Sequence, residues 1–220
     1  MGMMASDGRP VIPGVDSLGD GDSVKGKRIA LVANQTSLTS DLEPTAERIV
    51  GLMGEEALVA ILSPEHGYYG AAMDGEKVPH AEDGPFNATV YSLYGDMCKP
   101  TDEMLEGIET IVYDLQDVGS RFYTYVTTMR LCIEAAAEKG LRFTVLDRPN
   151  PINGMRTEGP MLEGELSSFV GSIGTPVRYG LTPGELATLL KGEGEYEVDV
   201  DVVEMGGWER RMWFEETGLN

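Results

Sequence analysis

Three short apolar runs each end in a cluster of polar and charged residues. Leu58 to Leu62 leads into Ser63-Pro64-Glu65-His66-Gly67, Ile111 to Leu115 into Gln116-Asp117-Val118-Gly119-Ser120-Arg121, and Phe143 to Leu146 into Asp147-Arg148-Pro149-Asn150-Pro151. Runs this short, with no polar alternation, suit strands of a parallel sheet covered on both faces. Arg28 to Ala33, bounded by Gly26 and by Asn34-Gln35-Thr36, has the same character. Between these runs the period changes to that of a helix. Ala46, Ile49, Val50 and Met53 follow Pro44 and stop at Gly54; Val126, Met129, Ile133 and Ala136 form one stripe between Tyr123 and Lys139, with Gly140 as the stop. Thr101 is placed to cap a helix carrying Met104, Leu105 and Ile108.

Near the end, Thr182-Pro183-Gly184-Glu185 has the form of a capping box, opening a helix that runs to Lys191 and ends at Gly192. Val198, Val200 and Val202 alternate with Asp199 and Asp201 as in a half-exposed edge strand. Thr89 to Tyr94 reads as a short strand, and Gly67 to Asn87, which holds His80, as a turn-rich connection. The β-α-β order predicts an α/β fold: a Rossmann-like, mostly parallel sheet with helices on both faces. Residues 1–27 read as an irregular lead-in, 28–180 as the Rossmann-like domain and 181–220 as a C-terminal helix and strand extension. In such a fold the polar clusters meet along the carboxyl edge, where open α/β sheets place their ligands.

Composition narrows the partners. With 17 basic against 37 acidic residues the formal net charge is −20, which opposes nucleic acid and anionic membranes. No apolar stretch approaches the ~20 residues of a membrane helix, and Met1 to Asp7 shows no secretory pattern, so the expected compartment is the cytoplasm; secretion stays open if the chain begins elsewhere. Cys98 and Cys132 have no metal-ligand spacing and read as reduced thiols. Six lysines against eleven arginines fit either a salt-adapted surface or an ordinary acidic one.

Glu65 stands first among candidate chemistries. A carboxylate just past a buried strand, between Pro64 and Gly67, is placed for general acid work, or else caps its loop while His66 packs locally. Asp114 lies inside an apolar run and needs a cation, either Arg121 or Arg148; this is a structural pair or, with Asp117, Arg121 and Tyr123, part of a site. Asp147, Arg148 and Asn150 sit on a segment stiffened by two prolines, as a rigid binding element or a plain turn. Trp208, Trp213, Tyr68, Tyr69 and Tyr94 offer either sugar-stacking faces or core. Neither a glycine fingerprint nor a P-loop nor Gly-x-Ser-x-Gly occurs, which removes nucleotide phosphate cradles and the hydrolase elbow. Two histidines make zinc a thin reading, although Glu65, Asp114 and Asp117 would suit a harder cation.

Taken in order, Lys27 to Thr36, Leu62 to Gly67, Gly75-Glu76-Lys77-Val78, Val90 to Gly95, Asp114 to Tyr125, Leu146 to Pro151 and Met212-Trp213-Phe214 closely resemble the NamZ/YbbC-like family, whose characterised members are exo-β-N-acetylmuramidases. The resemblance implies a glycoside hydrolase of cell wall recycling, releasing N-acetylmuramic acid from the non-reducing end of peptidoglycan-derived saccharides, without metal or other cofactor. It implies Glu65 as the leading catalytic carboxylate with His66, Asp114 and Asp117, and Arg121, Tyr123, Asp147, Arg148 and Asn150 around the sugar. Arg121 or Arg148 would clamp the lactyl carboxylate. It further implies that the chain corresponds to the family's N-terminal domain. A partner chain then supplies the rest of the cleft, or the domain binds a sugar acid or muropeptide without cleaving it, or it is an inactive fragment.

Overall fold

In a computed structural model of the chain, residues 10–19, 24, 27–71 and 81–219 are described. Four buried runs form the centre of the sheet: β1 (Ile29–Ala33), β2 (Leu58–Ser63), β5 (Thr110–Asp114) and β6 (Arg142–Leu146). Every residue of β1 and β5 is buried, as continuous apolar runs require. Adding β3 (Ala81–Asp83), β4 (Thr89–Ser92) and β9 (Val200–Val203), the sheet runs β3-β4-β2-β1-β5-β6-β9. All pairs are parallel except β3 with β4. The order reverses at β1, which has β2 on one side and β5 on the other, so the switch point lies between the carboxyl ends of β1 and β5.

Successive residues along the strands feed two separate cores. Ala30, Val32, Ile111, Tyr113, Phe143 and Val145 face α3 (Thr124–Lys139) and α4 (Pro183–Glu193); Ile29, Leu31, Ala33, Val112 and Leu146 face α1 (Gly14–Ser17) and α2 (Thr45–Met53). This is the Rossmann-like three-layer arrangement. α3 ends at Gly140 in the left-handed conformation, φ 64°, as its sequence predicted. In α4 the capping box is present, with Glu185 N donating to Thr182 Oγ1 and Thr182 N to Glu185 Oε2; the helix runs two residues past Lys191, to Glu193.

Three features differ from or add to the sequence expectations. Residues 102–107 form turns in place of a helix capped by Thr101. Between Pro100 and Gly107, which has φ 71°, there is too little chain to repay helix nucleation, yet Met104, Leu105 and Ile108 are buried all the same. Between β6 and α4 the chain makes a separate antiparallel pair, β7 (Glu158–Met161) with β8 (Pro176–Arg178), outside the main sheet. Within the lead-in, Val11 and Val15 are fully buried and Gly14 N donates to Asp147 O. His80 and Gly75 to Val78 lie outside the described residues.

Gly14 shows how closely the lead-in is docked. A Cβ there would come within 2.3 Å of Val203 O and 2.4 Å of Asp147 N, both backbone atoms. Gly14→Ala is expected to cost about 3 kcal/mol, the upper end for overpacking, in urea unfolding. A change under ~0.5 kcal/mol would show that residues 10–18 are not part of the fold.

Candidate active site

The carboxyl edge carries four acids in three environments. Asp114, the last residue of β5, is 0 % exposed and receives both arms of the Arg148 fork: Nε to Oδ1 at 2.5 Å and Nη2 to Oδ2 at 2.8 Å. Thr45 Oγ1, in the first turn of α2, also donates to Oδ2, and Ser37 Oγ donates to Asp114 O. Arg148 Nη2 reaches Leu38 O at 2.8 Å as well. Two central strands and the loop after β1 are thereby tied at the switch point, beside a cavity of about 230 Å³ lined by Gln35, Thr36, Gln116 and Arg148. The pair is bidentate and fully hydrogen-bonded, the condition under which a buried ion pair offsets its desolvation.

Asp117 and Asp147 are buried without a cation on the carboxylate. Asp117 Oδ1 accepts from Gly119 N at 2.5 Å and from Tyr179 Oη; burial pushes its carboxyl up to about 6, against the lowering effect of those bonds. Asp147 Oδ1 accepts from Gly184 N at 2.8 Å and Oδ2 from Thr182 Oγ1 at 3.0 Å, at the start of α4. Burial likewise brings it to about 6. Asn150 bridges the same region, Nδ2 donating to Leu181 O at 2.9 Å and Oδ1 accepting from Ile152 N at 3.1 Å.

Glu65 differs from all three. It is half-buried just beyond β2, and among the described residues its carboxylate takes one hydrogen bond, from Thr124 Oγ1 at 3.0 Å in the first turn of α3. That position also places it in the favourable field of a helix N-terminus. His66 follows with φ 75°, a left-handed conformation that a non-glycine residue adopts only where its surroundings hold it. Beside this acid lie Tyr123 and Tyr125, ring centroids 4.3 Å apart. Asn34 Oδ1 accepts from Thr36 N at 2.8 Å and Thr36 Oγ1 at 2.7 Å, which turns its Nδ2 toward Tyr125 Oη. Burial first, then the neighbouring Tyr123 hydroxyl and least of all Glu65, holds the Tyr125 hydroxyl far above the usual range. Arg121 lies on the other side of the β5–α3 connection, its Nη1 donating to Pro160 O at 3.1 Å and to Thr175 O, next to β7 and β8.

The family model described as "Exo-beta-N-acetylmuramidase NamZ, N-terminal" matches residues 29–220. The chain belongs to the NamZ family. It is 44% identical over 196 residues to the peptidoglycan β-N-acetylmuramidase NamZ of Bacillus subtilis strain 168, which covers 89% of this chain and 47% of that protein. Two crystal structures of DUF1343 family proteins from Bacteroides fragilis NCTC 9343 share the fold. One has a TM-score of 0.86 at 41% identity, covering 96% of this chain and 54% of the other; the second has a TM-score of 0.76 at 31% identity, covering 93% and 54%. The chain spans about half the length of the relatives it matches.

Against the NamZ motifs the geometry is selective. It joins Asp114 to Arg148, and Asp147 and Asn150 to the start of α4, while Glu65, His66 and Tyr123 gather at the start of α3. Asp117 turns toward Tyr179. β5, which ends in Asp114, and β2, which precedes Glu65, lie two strand spacings apart across β1, about 10 Å by sheet geometry, and both end at the same edge. Thr124, Asn34 and Tyr179 had no part in the sequence reading of the site. Only the position of Asn34 directly after a buried run signalled it. Of the aromatic residues, Trp213 and Tyr69 are exposed, and Trp213 already carries the Arg178 guanidinium 5.6 Å above its ring. Among the described residues no three His, Cys, Asp or Glu side chains stand close enough to share an ion.

Two stability predictions come from these acids. Arg148→Met, which strands the Asp114 carboxylate, should cost about 3–5 kcal/mol in urea unfolding, and Asp114→Asn in that background should return part of the loss. The Asp117 carboxyl is raised by folding, so its contribution is fully present below the unfolded value near 3.8 and is lost as pH rises through about 6. Asp117→Asn should therefore gain on the wild type by on the order of 2 kcal/mol between pH 4.5 and pH 7.5. A pH-independent difference would contradict the assignment.

Proposed function

We propose that the chain is the N-terminal, acid-bearing half of an exo-β-N-acetylmuramidase, acting on the terminal muramic sugar of peptidoglycan-derived saccharides with Glu65 as the carboxyl group that works on the glycosidic bond. The observation that carries this is the contrast between Glu65 and its neighbours. Asp114 is neutralised by Arg148, and Asp147 caps α4, so neither is available to react without unpicking the fold. Glu65, half-buried and, among the described residues, held by one hydroxyl, keeps a face toward solvent. Membership of the NamZ family supports the substrate class.

Glycoside cleavage ordinarily uses two carboxyl groups, ~5–5.5 Å apart for retention and ~6.5–9.5 Å for inversion. In this reading Asp117, buried against Gly119 N and Tyr179 Oη, is held by the fold as Asp114 and Asp147 are, so of the four acids at this edge Glu65 is the one free to act. His66, Tyr123, Asp147, Arg148 and Asn150 shape the edge around the sugar, the last three by fixing the segment after β6. Both Asp114 oxygens are already engaged, so among the described residues Glu65, Asp114 and Asp117 do not form a shared seat for a cation. Cytoplasmic turnover of wall fragments fits the two free cysteines, Cys98 and Cys132.

The saturated bonding of Asp114 and Asp147 favours a second reading, a module that retains the sugar acid without cleaving it. A chromogenic muramide distinguishes the two. The purified chain is expected to release free muramic sugar, and Glu65→Gln to lower kcat at least ~100-fold with an unchanged melting temperature. Saturable binding without product selects the binding module, and full activity in Glu65→Gln removes Glu65 from the chemistry.

A further inference from the structure

We propose that Asn34 is a positioning residue of this site: through Tyr125 it fixes the direction of a chain of hydrogen bonds, so that the Tyr123 hydroxyl is turned outward as a donor to an acceptor oxygen of the ligand beside Glu65. The proposal rests on the muramidase reading of this edge and adds to it a residue buried behind the site. Asn34 is 3 % exposed and Tyr125 1 %, whereas Tyr123 is half-buried, so the chain of bonds runs from the interior to the surface of the site.

Two donors that cannot reverse set the direction. A backbone N–H only donates, and two of them stand at the inner end. Thr36 N donates to Asn34 Oδ1 at 2.8 Å. Gln116 N donates to Thr36 Oγ1 at 3.1 Å, which leaves the Thr36 hydroxyl proton to go to Asn34 Oδ1 at 2.7 Å. With Oδ1 accepting twice, the amide has one orientation, and its Nδ2 donates to Tyr125 Oη. Because Tyr125 Oη accepts there, its own proton points away from Asn34, toward the hydroxyl of Tyr123, whose ring centroid lies 4.3 Å from its own. Burial first and that hydroxyl second keep the proton on Tyr125, as a donated bond does. Tyr123 Oη, accepting from Tyr125, has its own proton to give outward.

Position makes this chain of bonds part of the site. Asn34 directly follows β1 and Gln116 lies just past the end of β5, so the inner end spans the switch point of the sheet. At the outer end Tyr123 and Tyr125 flank Thr124, the residue that holds Glu65 at 3.0 Å. The orientation of a few buried groups is thereby carried to the side of the acid. Hydrogen bonds in series polarise one another, so the last hydroxyl is a stronger donor than a lone phenol. A freely rotating phenol offers a proton and a lone pair by turns; one whose direction is set before the ligand arrives loses less freedom on binding.

Carbon NMR of the full chain, labelled at tyrosine Cζ, reads the state of each hydroxyl without needing turnover. Asn34→Asp at pH ~8, well above the ordinary carboxylate range, keeps the shape and the bonds from Thr36 but puts an oxygen that only accepts where the donor stood. Tyr125 should then donate inward and Tyr123 after it, and the Tyr123 Cζ resonance should shift. In a Tyr125→Phe background, which cuts the chain of bonds, Asn34→Asp should leave that resonance where it is; a merely structural role for Asn34 would move it in both backgrounds. On a chromogenic muramide, Asn34→Asp and Tyr123→Phe should each lower kcat/KM ~5- to 10-fold, the scale of one hydrogen bond, and the double variant should be no worse than Tyr123→Phe alone. Thermal melts identify any variant that has lost its fold, and Tyr125→Phe, which removes one oxygen and should shift Tyr123 by itself, is the arm least exposed to that loss. A Tyr123 resonance unmoved in folded Asn34→Asp and Tyr125→Phe overturns the proposal. So does an Asn34→Asp shift of equal size with and without the Tyr125 hydroxyl, or full kcat/KM in an Asn34→Asp variant whose Tyr123 has shifted. The expected resonance shifts in a chain that releases no sugar would sink the muramidase reading alone and leave the direction of the bonds assigned.

Discussion

A carboxylate at the end of a strand covered on both faces has to be neutralised where it stands, and the Asp114–Arg148 pair is how this molecule meets that requirement. The pair does more than cancel two charges. It ties the ends of β5 and β6 together, and through Thr45, Ser37 and Leu38 it draws in α2 and the loop after β1. The switch point of the sheet, where an open α/β fold offers a crevice, is therefore braced by a saturated polar network.

That bracing divides labour among the acids. Asp147 and Asp117 organise backbone amides and hydroxyls, and burial alone weakens them as acids. With three carboxylates occupied in holding the edge, Glu65 is left as the one placed at a helix N-terminus with solvent on one side. The same logic separates the arginines. Arg148 is consumed by the scaffold, while Arg121 meets two backbone carbonyls and, among the described residues, no carboxylate.

Much of the fold is legible in the chain because its central strands are apolar on both faces and short enough to exclude helices. Ile29–Ala33, Leu58–Ser63, Thr110–Asp114 and Arg142–Leu146 all declare themselves in this way. The pair β7 and β8 does not, since Glu158-Gly-Pro-Met and Pro-Val-Arg have neither alternation nor strand propensity; outside contacts with Ser120 and Arg121 hold them. The stretch 101–108 shows the converse, a helical pattern of apolar residues that tertiary burial satisfies in a run of turns. For the site, residue types could be read but not partners. Arg121 and Arg148 are equal candidates for Asp114 in one dimension; the register pairing Tyr113 with Val145 carries Arg148 alongside Asp114 and leaves Arg121 beside β7. Asn34 escaped notice because its importance depends on Thr36 orienting its amide toward Tyr125.

The central claim is that one edge of the sheet holds acids fixed by the fold together with one acid left for the ligand. Carboxyl carbon NMR of the full chain, labelled at Asp and Glu side chains and titrated with N-acetylmuramic acid, addresses it directly. The Glu65 resonance should move with ligand while those of Asp114 and Asp147 stay in place. A displaced Asp114 resonance beside an unmoved Glu65 would show that the scaffold and the reacting group have been assigned the wrong way round.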